Sequence, residues 1–581
     1  MKTWRKAITK IRNQLHHARI HISHPDALLS LAVLGLITGV VTGSVIVIFR
    51  YAVDGLRVLL IPDGQIGHFE ALSVEMRLLL PLAGALLIAL VFRLIGGKQR
   101  VFGVVHVLER LEYHQGRMTL RSLLLQFIGA VTAITSGQSV GREGPGIHLG
   151  AASGSLLAQG IGAPNNVVRT LLGCGTAGAI GASFNTPLAG VIFSLEVIML
   201  EYTVSGFIPV VLSAVGATVV SVAFFGIDPA FAVPELQWTS LWEMPFAILV
   251  GITVGLASTL LIASTKALAE RSQRVPFTLR VVMAGALTGI VAIFYPQVMG
   301  IGYDTISQTL AGSIGVGLLV GIAFSKIITT TAAIGLGIPG GIIGPTLVIG
   351  AVLGGAMGIL GHGIFPTVSS DSGHYAILGM GAMMGATLQA PLAALIAVFE
   401  LTQNPHIIMP GMLAIVVAGL ISGRMFGYRS VFRVLLRARG LDYIQDPVVQ
   451  AMRRVGVASE MERSFVTTGS VLTREDAAAL LQNNPRWVIV TREKQPVSAL
   501  PALDIERALQ ISTDPELDLL EVPAKRLSLT GIHMSATVDQ ALDRLSTAGA
   551  EALFLYNANI PALSRVQGIV TREALHSSYR Y

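Results

Sequence analysis

Long apolar runs, separated by short charged stretches, fill the chain from about residue 27 to residue 423. The runs are Ala27–Phe49, Thr170–Leu195, Tyr202–Ile227, Pro245–Thr265, Val281–Tyr303, Ile327–Ser370 and Leu401–Gly423. Each reaches the roughly 20 residues that an α-helix needs to cross a bilayer. The pattern therefore predicts an all-α, polytopic membrane core, which we place at residues 26–437.

The run Ile327–Ser370 has forty-four residues without a charge, too many for one straight membrane helix. Glycines and prolines interrupt it, and irregular backbone at membrane depth is tolerated only where protein or a water-filled cavity surrounds it. We therefore expect broken or re-entrant helices that are buried in the protein.

One part of this region occurs twice, about two hundred residues apart. The matched residues are Gly141, Gly144, Pro145, Gly150, Ala151 and Gly154 with Gly341, Gly344, Pro345, Gly350, Ala351 and Gly354. A second repeated segment pairs Gly181–Ala189 and Glu196 with Gly385–Ala393 and Glu400. Repeats whose helices are interrupted at matching places point to an ion site at the bilayer midplane, between two inverted halves.

From about Asp446 the charge rises, glycine becomes rarer and short apolar segments alternate with helical ones. The predicted strands and helices are Ser464–Thr467, Asp476–Leu481 and Trp487–Thr491, then Arg526–Thr530, Val538–Leu545 and Ala552–Tyr556. Because the strand–helix–strand order recurs, we expect a small cytoplasmic α/β domain over 463–581, joined to the core by a linker over 438–462.

Composition supports the membrane assignment: only 13% of the 581 residues are charged, against about 25% in soluble domains. Basic residues cluster before the first apolar run and after the last one, so both termini are predicted to be cytoplasmic, with a basic helix over 1–25. These flanks account for most of the net charge of +7, and we expect no nucleic-acid partner. Cys174 is the only cysteine, which excludes an internal disulfide and a cysteine metal site.

Arg142 and Glu143 lie inside a long uncharged stretch, where an ionisable side chain costs at least ~2.5–3.5 kcal/mol. Gly144 and Pro145 follow them and suit the first turn of a helix. The amides and the positive dipole end of that helix would favour an anion. Glu143 is either a partner for Arg142 or a tethered anion that occupies the site itself, and the position of a carboxylate at a helix start favours the second interpretation.

Two other chemistries were weighed against an ion site. The segment Gly173–Gly178 spells G-x-G-x-x-G, but a dinucleotide fingerprint needs a soluble βαβ unit, so packing of membrane helices is the better explanation. His148, His362 and His374 have no metal-ligand spacing, and we expect neither a metal nor an enzyme. A nucleotide-regulated enzyme or sensor with a membrane anchor stays as the other class, although an anchor needs no buried Glu143.

The segments Gly141–Pro145, Phe184–Gly190 and Gly341–Pro345 resemble the signature segments of the CLC family of chloride channels and proton/chloride antiporters. The resemblance covers roughly Asp26 to Arg437. It implies a homodimer in a bacterial-type inner membrane, in which each subunit has its own anion path and Glu143 is the gate. It also implies that the path is lined at Arg142, Gly144, Ile342, Ile343 and Gly344.

Three positions depart from the family pattern. Phe102, before Gly103, stands where the family has a serine that binds the anion, and Phe432 stands where it has a tyrosine. A local misalignment is the alternative explanation of both. Val197 occupies the place of the glutamate that transfers protons in antiporters. This departure favours a passive chloride channel, with proton/chloride antiport as the alternative.

The C-terminal repeats resemble a tandem pair of CBS motifs, which in some proteins bind adenine nucleotides. The acidic residue that would hold the ribose follows a threonine by three positions, and here that position is Ala574. We therefore expect a structural role for this domain and no cofactor, with chloride as the ligand of the core.

Overall fold

The computed structural model describes residues 27–60, 69–95, 102–200, 202–227, 243–366, 370–442, 447–493, 495–511, 514–557 and 566–577. The chain divides into two compact units, a helical one that ends before residue 445 and one formed mainly by the C-terminal residues. The predicted N-terminal helix over 1–25 lies outside the described residues.

Helices build the first unit. In chain order they are α1 (Leu28–Leu60), α2 (Val74–Leu94), α3 (Gly103–Tyr113), α4 (Leu120–Thr135), α5 (Glu143–Gly160), α6 (Asn165–Phe184), α7 (Pro187–Phe193), α8 (Val204–Phe225), α9 (Met244–Arg271), α10 (Phe277–Phe294), α11 (Tyr303–Leu310), α12 (Val316–Leu336), α13 (Ile343–Ile364), α14 (Ser372–Leu388), α15 (Pro391–Thr402), α16 (Ile408–Leu420) and α17 (Val431–Arg437). Within the described ranges, nine helices are long and apolar enough to cross a membrane. The predicted polytopic helical core is confirmed.

The longest apolar run is broken, as its composition predicts. Helix α12 ends at Leu336, where Gly337 adopts a left-handed conformation (φ +94°), and α13 begins only at Ile343. The run Thr170–Leu195, predicted as a single span, is also broken: α6 ends at Phe184 and α7 begins at Pro187. Proline suits the first turn of a new helix and cannot continue the preceding one, which explains this break.

Glycines let helices pack closely at matching places in the two repeats. A Cβ on Gly150 would lie 2.2 Å from the carbonyl oxygen of Gly175, and a Cβ on Gly350 would lie 2.2 Å from that of Gly379. Gly175 belongs to the G-x-G-x-x-G segment of α6. The structure therefore gives that segment a packing role, as expected for small residues between membrane helices.

The second unit is an α/β domain. Its elements are α18 (Pro447–Arg454), β1 (Phe465–Thr468), β2 (Val471–Thr473), α19 (Arg474–Leu481), β3 (Trp487–Arg492), β4 (Gln495–Pro501), α20 (Ala502–Ile511), β5 (Glu516–Asp518), β6 (Leu527–His533), α21 (Val538–Ala548), β7 (Ala552–Tyr556), β8 (Val566–Thr571) and α22 (Arg572–Ser577). Six strands form one sheet in the order β1-β3-β4-β6-β7-β8, and β2 pairs with β5.

The two halves of the six-stranded sheet have the same pairing. In each half the first strand runs parallel to the second and the second runs antiparallel to the third, as β1-β3-β4 and as β6-β7-β8. This arrangement is compatible with the predicted CBS-like pair. Part of the range taken as a linker is ordered against this domain, since α18 lies within it and Arg453 forms an ion pair of 3.0 Å with Asp539.

Candidate functional site

The site is built where the two repeats meet. Gly141 and Gly341 pair as an antiparallel bridge, with N···O distances of 2.7 and 2.9 Å between their backbones. Helices α5 and α13 begin immediately after these glycines. A Cβ on Gly341 would lie 2.6 Å from the backbone nitrogen of Gly144, so side chains are excluded at this contact. Two helix N-termini, which attract negative charge, are thereby brought together.

Glu143, the first residue of α5, extends its carboxylate to the start of α13 in the other repeat. Oε2 accepts the backbone N–H of Gly344 at 3.0 Å, and Oε1 accepts the hydroxyl of Tyr303 at 2.6 Å. The side chain is 1% exposed. A buried carboxylate with two donors, one of them a helix-start amide, is chemically an anion held in place by the chain.

Within the described part of the chain, the Arg142 guanidinium forms no hydrogen bond or ion pair with this carboxylate. Its guanidinium donates to the carbonyl oxygen of Ser183 at 3.0 Å and lies 5.2 Å from the ring centroid of Tyr303 and 5.8 Å from that of Phe184. This geometry favours the interpretation of Glu143 as a tethered anion over that of a partner for Arg142. The positive charge nevertheless stays near Tyr303, which binds the Glu143 carboxylate.

Tyr303 is a site residue that the sequence reasoning missed. It is the first residue of α11, directly after Gly302, whose φ of +83° turns the chain into the helix. The side chain of Lys326, which is fully buried in α12, donates to the carbonyl oxygens of Val298 and Gly300 at 2.9 and 3.0 Å. This lysine fixes the loop that positions Tyr303. In the sequence, Lys326 could have been recognised as a charge directly before the apolar run Ile327–Ser370. No sequence pattern around Tyr303 indicates a functional role.

A cavity of about 300 Å³ borders the bridge at Gly341. It is lined by five of the predicted anion-site positions, namely Phe102, Gly103, Gly144, Ile342 and Phe432. Its lining also includes Gln273, Arg280 and Arg439. The cavity thus combines helix-start backbone with two arginines, a combination suited to a small anion.

The remaining predicted positions lie nearer to Glu143. Gly344 binds its carboxylate, and Ile343 lines a second cavity of about 20 Å³ beside it. This small space is bordered mostly by apolar side chains, including Ile180, Phe193 and Leu347. It has room for about one water molecule. Six of the eight predicted anion-site positions therefore line one of these two cavities, whereas Gly344 binds the Glu143 carboxylate and Arg142 lines neither cavity.

At the start of α3, Phe102 stands where the family pattern has a serine, and it lines the cavity of about 300 Å³. The Phe102 ring packs edge-to-face on Phe92, with centroids 4.7 Å apart. The backbone N–H of Gly103 donates to Oε1 of Gln126 at 2.7 Å, and Nε2 of Gln126 donates to Pro339 at 3.0 Å. Gln126 therefore occupies the donor that α3 would otherwise offer to an anion.

Glu196 and Glu400, which occupy matching positions in the second repeated segment, each cap the start of a helix in the other repeat. The carboxylate of Glu400 accepts the backbone N–H groups of Leu188 and Ala189, and that of Glu196 accepts those of Leu392 and Ala393, at 2.6 to 3.2 Å. Each acid satisfies orphan donors at the start of a helix in the other repeat. This arrangement explains both residues structurally. Val197, next to Glu196, is buried.

Comparison with known proteins gives consistent matches. Residues 83–423 match the family model described as voltage gated chloride channel. A ClcB-like chloride channel protein of Ralstonia nicotianae is 32% identical over 390 residues, which is 65% of this chain and 89% of that protein. The H(+)/Cl(−) exchange transporter ClcA of Vibrio cholerae is 32% identical over 325 residues, or 54% of this chain and 69% of that protein.

Two solved structures share the fold. A slow cyanobacterial Cl−/H+ antiporter aligns with a TM-score of 0.63 at 22% identity and covers 70% of this chain and 97% of its own. A eukaryotic CLC transporter aligns with a TM-score of 0.61 at 20% identity and covers 94% of this chain and 98% of its own. The second alignment extends over the C-terminal domain as well as the helical core.

Proposed function

This chain belongs to the voltage-gated chloride channel (CLC) family, and from that premise we propose that it exchanges chloride for protons across the membrane, with Glu143 as the group that binds the proton. The observation that carries the proposal is the bond between the Glu143 carboxylate and the amide of Gly344. The relatives described above include an H(+)/Cl(−) exchange transporter, which supports exchange over passive conduction.

The geometry gives each step of the exchange a physical basis. The ionised carboxylate blocks the anion path because it occupies the start of α13 itself. Protonation removes its charge, so the amide of Gly344 and the positive ends of α5 and α13 become available to chloride. Chloride entering from the 300 Å³ cavity then replaces the carboxylate, and the neutral side chain can carry its proton away.

Passive chloride conduction is the second candidate, and Val197 is the observation that favours it. The family's proton-transferring glutamate has no counterpart at that position, and a valine can neither bind nor release a proton. We place exchange first because a proton can reach Glu143 through other titratable groups or through water.

Liposomes that contain the purified protein test the choice between the two. Chloride efflux and external pH are recorded together, with no initial proton gradient. Under exchange, a chloride gradient drives protons uphill, and Glu143→Gln abolishes proton movement while chloride still flows. A chloride current that moves no protons and reverses at the chloride equilibrium potential would favour the channel.

For the C-terminal domain we propose a structural role without a bound nucleotide. The hydroxyl of Thr571 accepts the backbone N–H of Ala574 at 3.3 Å, so the threonine caps α22 and the position three residues later offers no carboxylate to a ribose. We also propose a homodimer with both termini in the cytoplasm. Titration calorimetry with ATP, ADP and AMP checks the first proposal, and any saturable binding would contradict it.

A further inference from the structure

Two histidines stack in the interior of the helical unit. His106 of α3 and His148 of α5 have ring centroids 5.1 Å apart with an interplanar angle of 20°. They are 2% and 0% exposed. His148 is an isolated residue in the sequence, and the fold gives it a titratable neighbour.

The ring nitrogens of this pair have unused hydrogen-bonding capacity. Among the described residues, none of the four nitrogens makes a hydrogen bond of ordinary length and angle, although His106 faces Glu109 and His148 faces the backbone of Gly103. A neutral imidazole carries one donor and one acceptor, and buried polar groups are normally paired, so each exception requires an explanation. Filling this space with apolar side chains would avoid the desolvation cost. The pair is therefore better explained by proton transfer than by packing.

At one end the pair meets an acid. Oε2 of Glu109 lies 3.9 Å from Nδ1 of His106, and this oxygen also has no hydrogen bond among the described residues. The other charged groups that act on the pair are Arg110, on the same helix, and Arg439, which follows α17. Arg439 belongs to the basic stretch after the last apolar run, which the positive-inside rule assigns to the cytoplasm. Glu109 therefore lies toward the cytoplasmic end, as does the part of the 300 Å³ cavity that Arg439 lines.

At the other end the pair approaches the anion site. His148 lies beside the backbone of Gly103. Gly103 and Gly144 line the same cavity of about 300 Å³, and Gly144 follows the gate residue Glu143. A cavity of this size holds several water molecules. The pair thus lies between Glu109 and the backbone of Gly103, which borders the same cavity as the residue that follows Glu143.

We propose that Glu109, His106 and His148 form a proton relay that serves Glu143 from the cytoplasmic side, in place of the acid that is absent at Val197. The relay rests on the proposed exchange function. Nδ1 of His106 takes a proton from the Glu109 carboxyl group, and its other nitrogen passes one to His148. His148 releases a proton from its second nitrogen to cavity water, and the Glu143 carboxylate accepts it. Rotation of one ring about its Cβ–Cγ bond turns the nitrogens toward each other between transfers.

The test measures chloride and proton fluxes together in liposomes that contain the full chain. In the double variant His106→Gln with His148→Gln, proton flux should fall roughly a hundredfold while chloride flux changes by less than about twofold, because the relay groups are lost but the anion path is not, and Glu143 is still protonated from the outer bath. The matched control is His374→Gln, a buried histidine on α14 that should keep both fluxes. His106→Glu retains a titratable group and should retain much of the proton flux.

Each outcome either supports or overturns the proposed relay. Unchanged proton flux in the double variant overturns the relay and leaves the exchange function standing. An unmodified protein that moves no protons uphill overturns both. If the double variant also loses chloride flux, the single variants decide: equal loss of both fluxes in each would assign the pair to packing and refute the relay, whereas selective loss of proton flux would support it.

Discussion

The hydroxyl of Tyr303 is the most informative single group to remove, because it binds the carboxylate of Glu143, the proposed gate, through one short hydrogen bond. Tyr303→Phe deletes the donor that lies 2.6 Å from Oε1 of Glu143 and leaves the Gly344 amide in place. A hydrogen bond to a charged group contributes about 1.5–3 kcal/mol. The tyrosine hydroxyl stabilises the ionised, closed form, so its loss should favour the protonated, open form by that amount.

The measurable consequence is a shift of the pH at which chloride flux is half-maximal. Since one pH unit corresponds to about 1.36 kcal/mol, the midpoint should move upward by about 1 to 2 units in Tyr303→Phe. Proteoliposomes assayed for chloride efflux over a series of pH values give the midpoint directly. The direction of the shift matters most, because a loosened but still ionised gate would raise flux at every pH without moving the midpoint.

Tyr375→Phe is a matched control. Tyr375 is also buried and donates to a glutamate oxygen at 2.6 Å, but its partner is Glu243, away from the gate contacts. We expect an unchanged midpoint in this variant. An unshifted or lowered midpoint in Tyr303→Phe, or an equal shift in both variants, would refute the argument that Tyr303 acts on Glu143.

Three further outcomes follow from the site. Replacing Phe102 by Ser together with Phe432 by Tyr should strengthen chloride binding by roughly 1.5–3 kcal/mol in calorimetry, and no gain would mean that other groups bind the anion in the 300 Å³ cavity. Gly341→Ala should lower the stability of the protein by about 1–3 kcal/mol through overpacking, measured as a lower thermal midpoint in detergent, whereas Gly160→Ala, with open space around its Cβ, should not. Val197→Glu should raise proton flux per chloride, and an unaltered ratio would place this position off the proton route.

The repeat and its chemistry were readable from the sequence because they depend on local signals. Glycine and proline at fixed spacing predict interrupted helices, and the duplication places two such interruptions opposite one another. The structure pairs Gly141 with Gly341 and sets Gly344 against Glu143, as two inverted halves require. Four of the C-terminal strands, β1, β3, β6 and β7, were also predicted, because apolar β-branched segments alternate there with capped helices such as that begun by Thr537. The strands β2, β4, β5 and β8 were not predicted.

The remaining site residues were hidden because their partners are distant in the chain. Tyr303 meets Glu143 across 160 positions, and no spacing rule connects them. His106 and His148 lie on different helices, and neither has a neighbour in sequence that marks it. Val197 by itself favours a passive channel, but a proton route depends on groups from the whole fold and not on one position. The composition of the chain gives no indication of such a route.

The bridge between Gly141 and Gly341 restricts how this molecule can move. Many transporters expose their site alternately to each side by rocking one repeat against the other. Here the repeats share two backbone hydrogen bonds at their centre, and a Cβ would not fit between them. Tilting one half would break the bridge at the point where the ion passes. The moving part is then the Glu143 side chain, so we expect the turnover of this protein to be limited by the arrival of ions and protons rather than by a rearrangement of its two repeats.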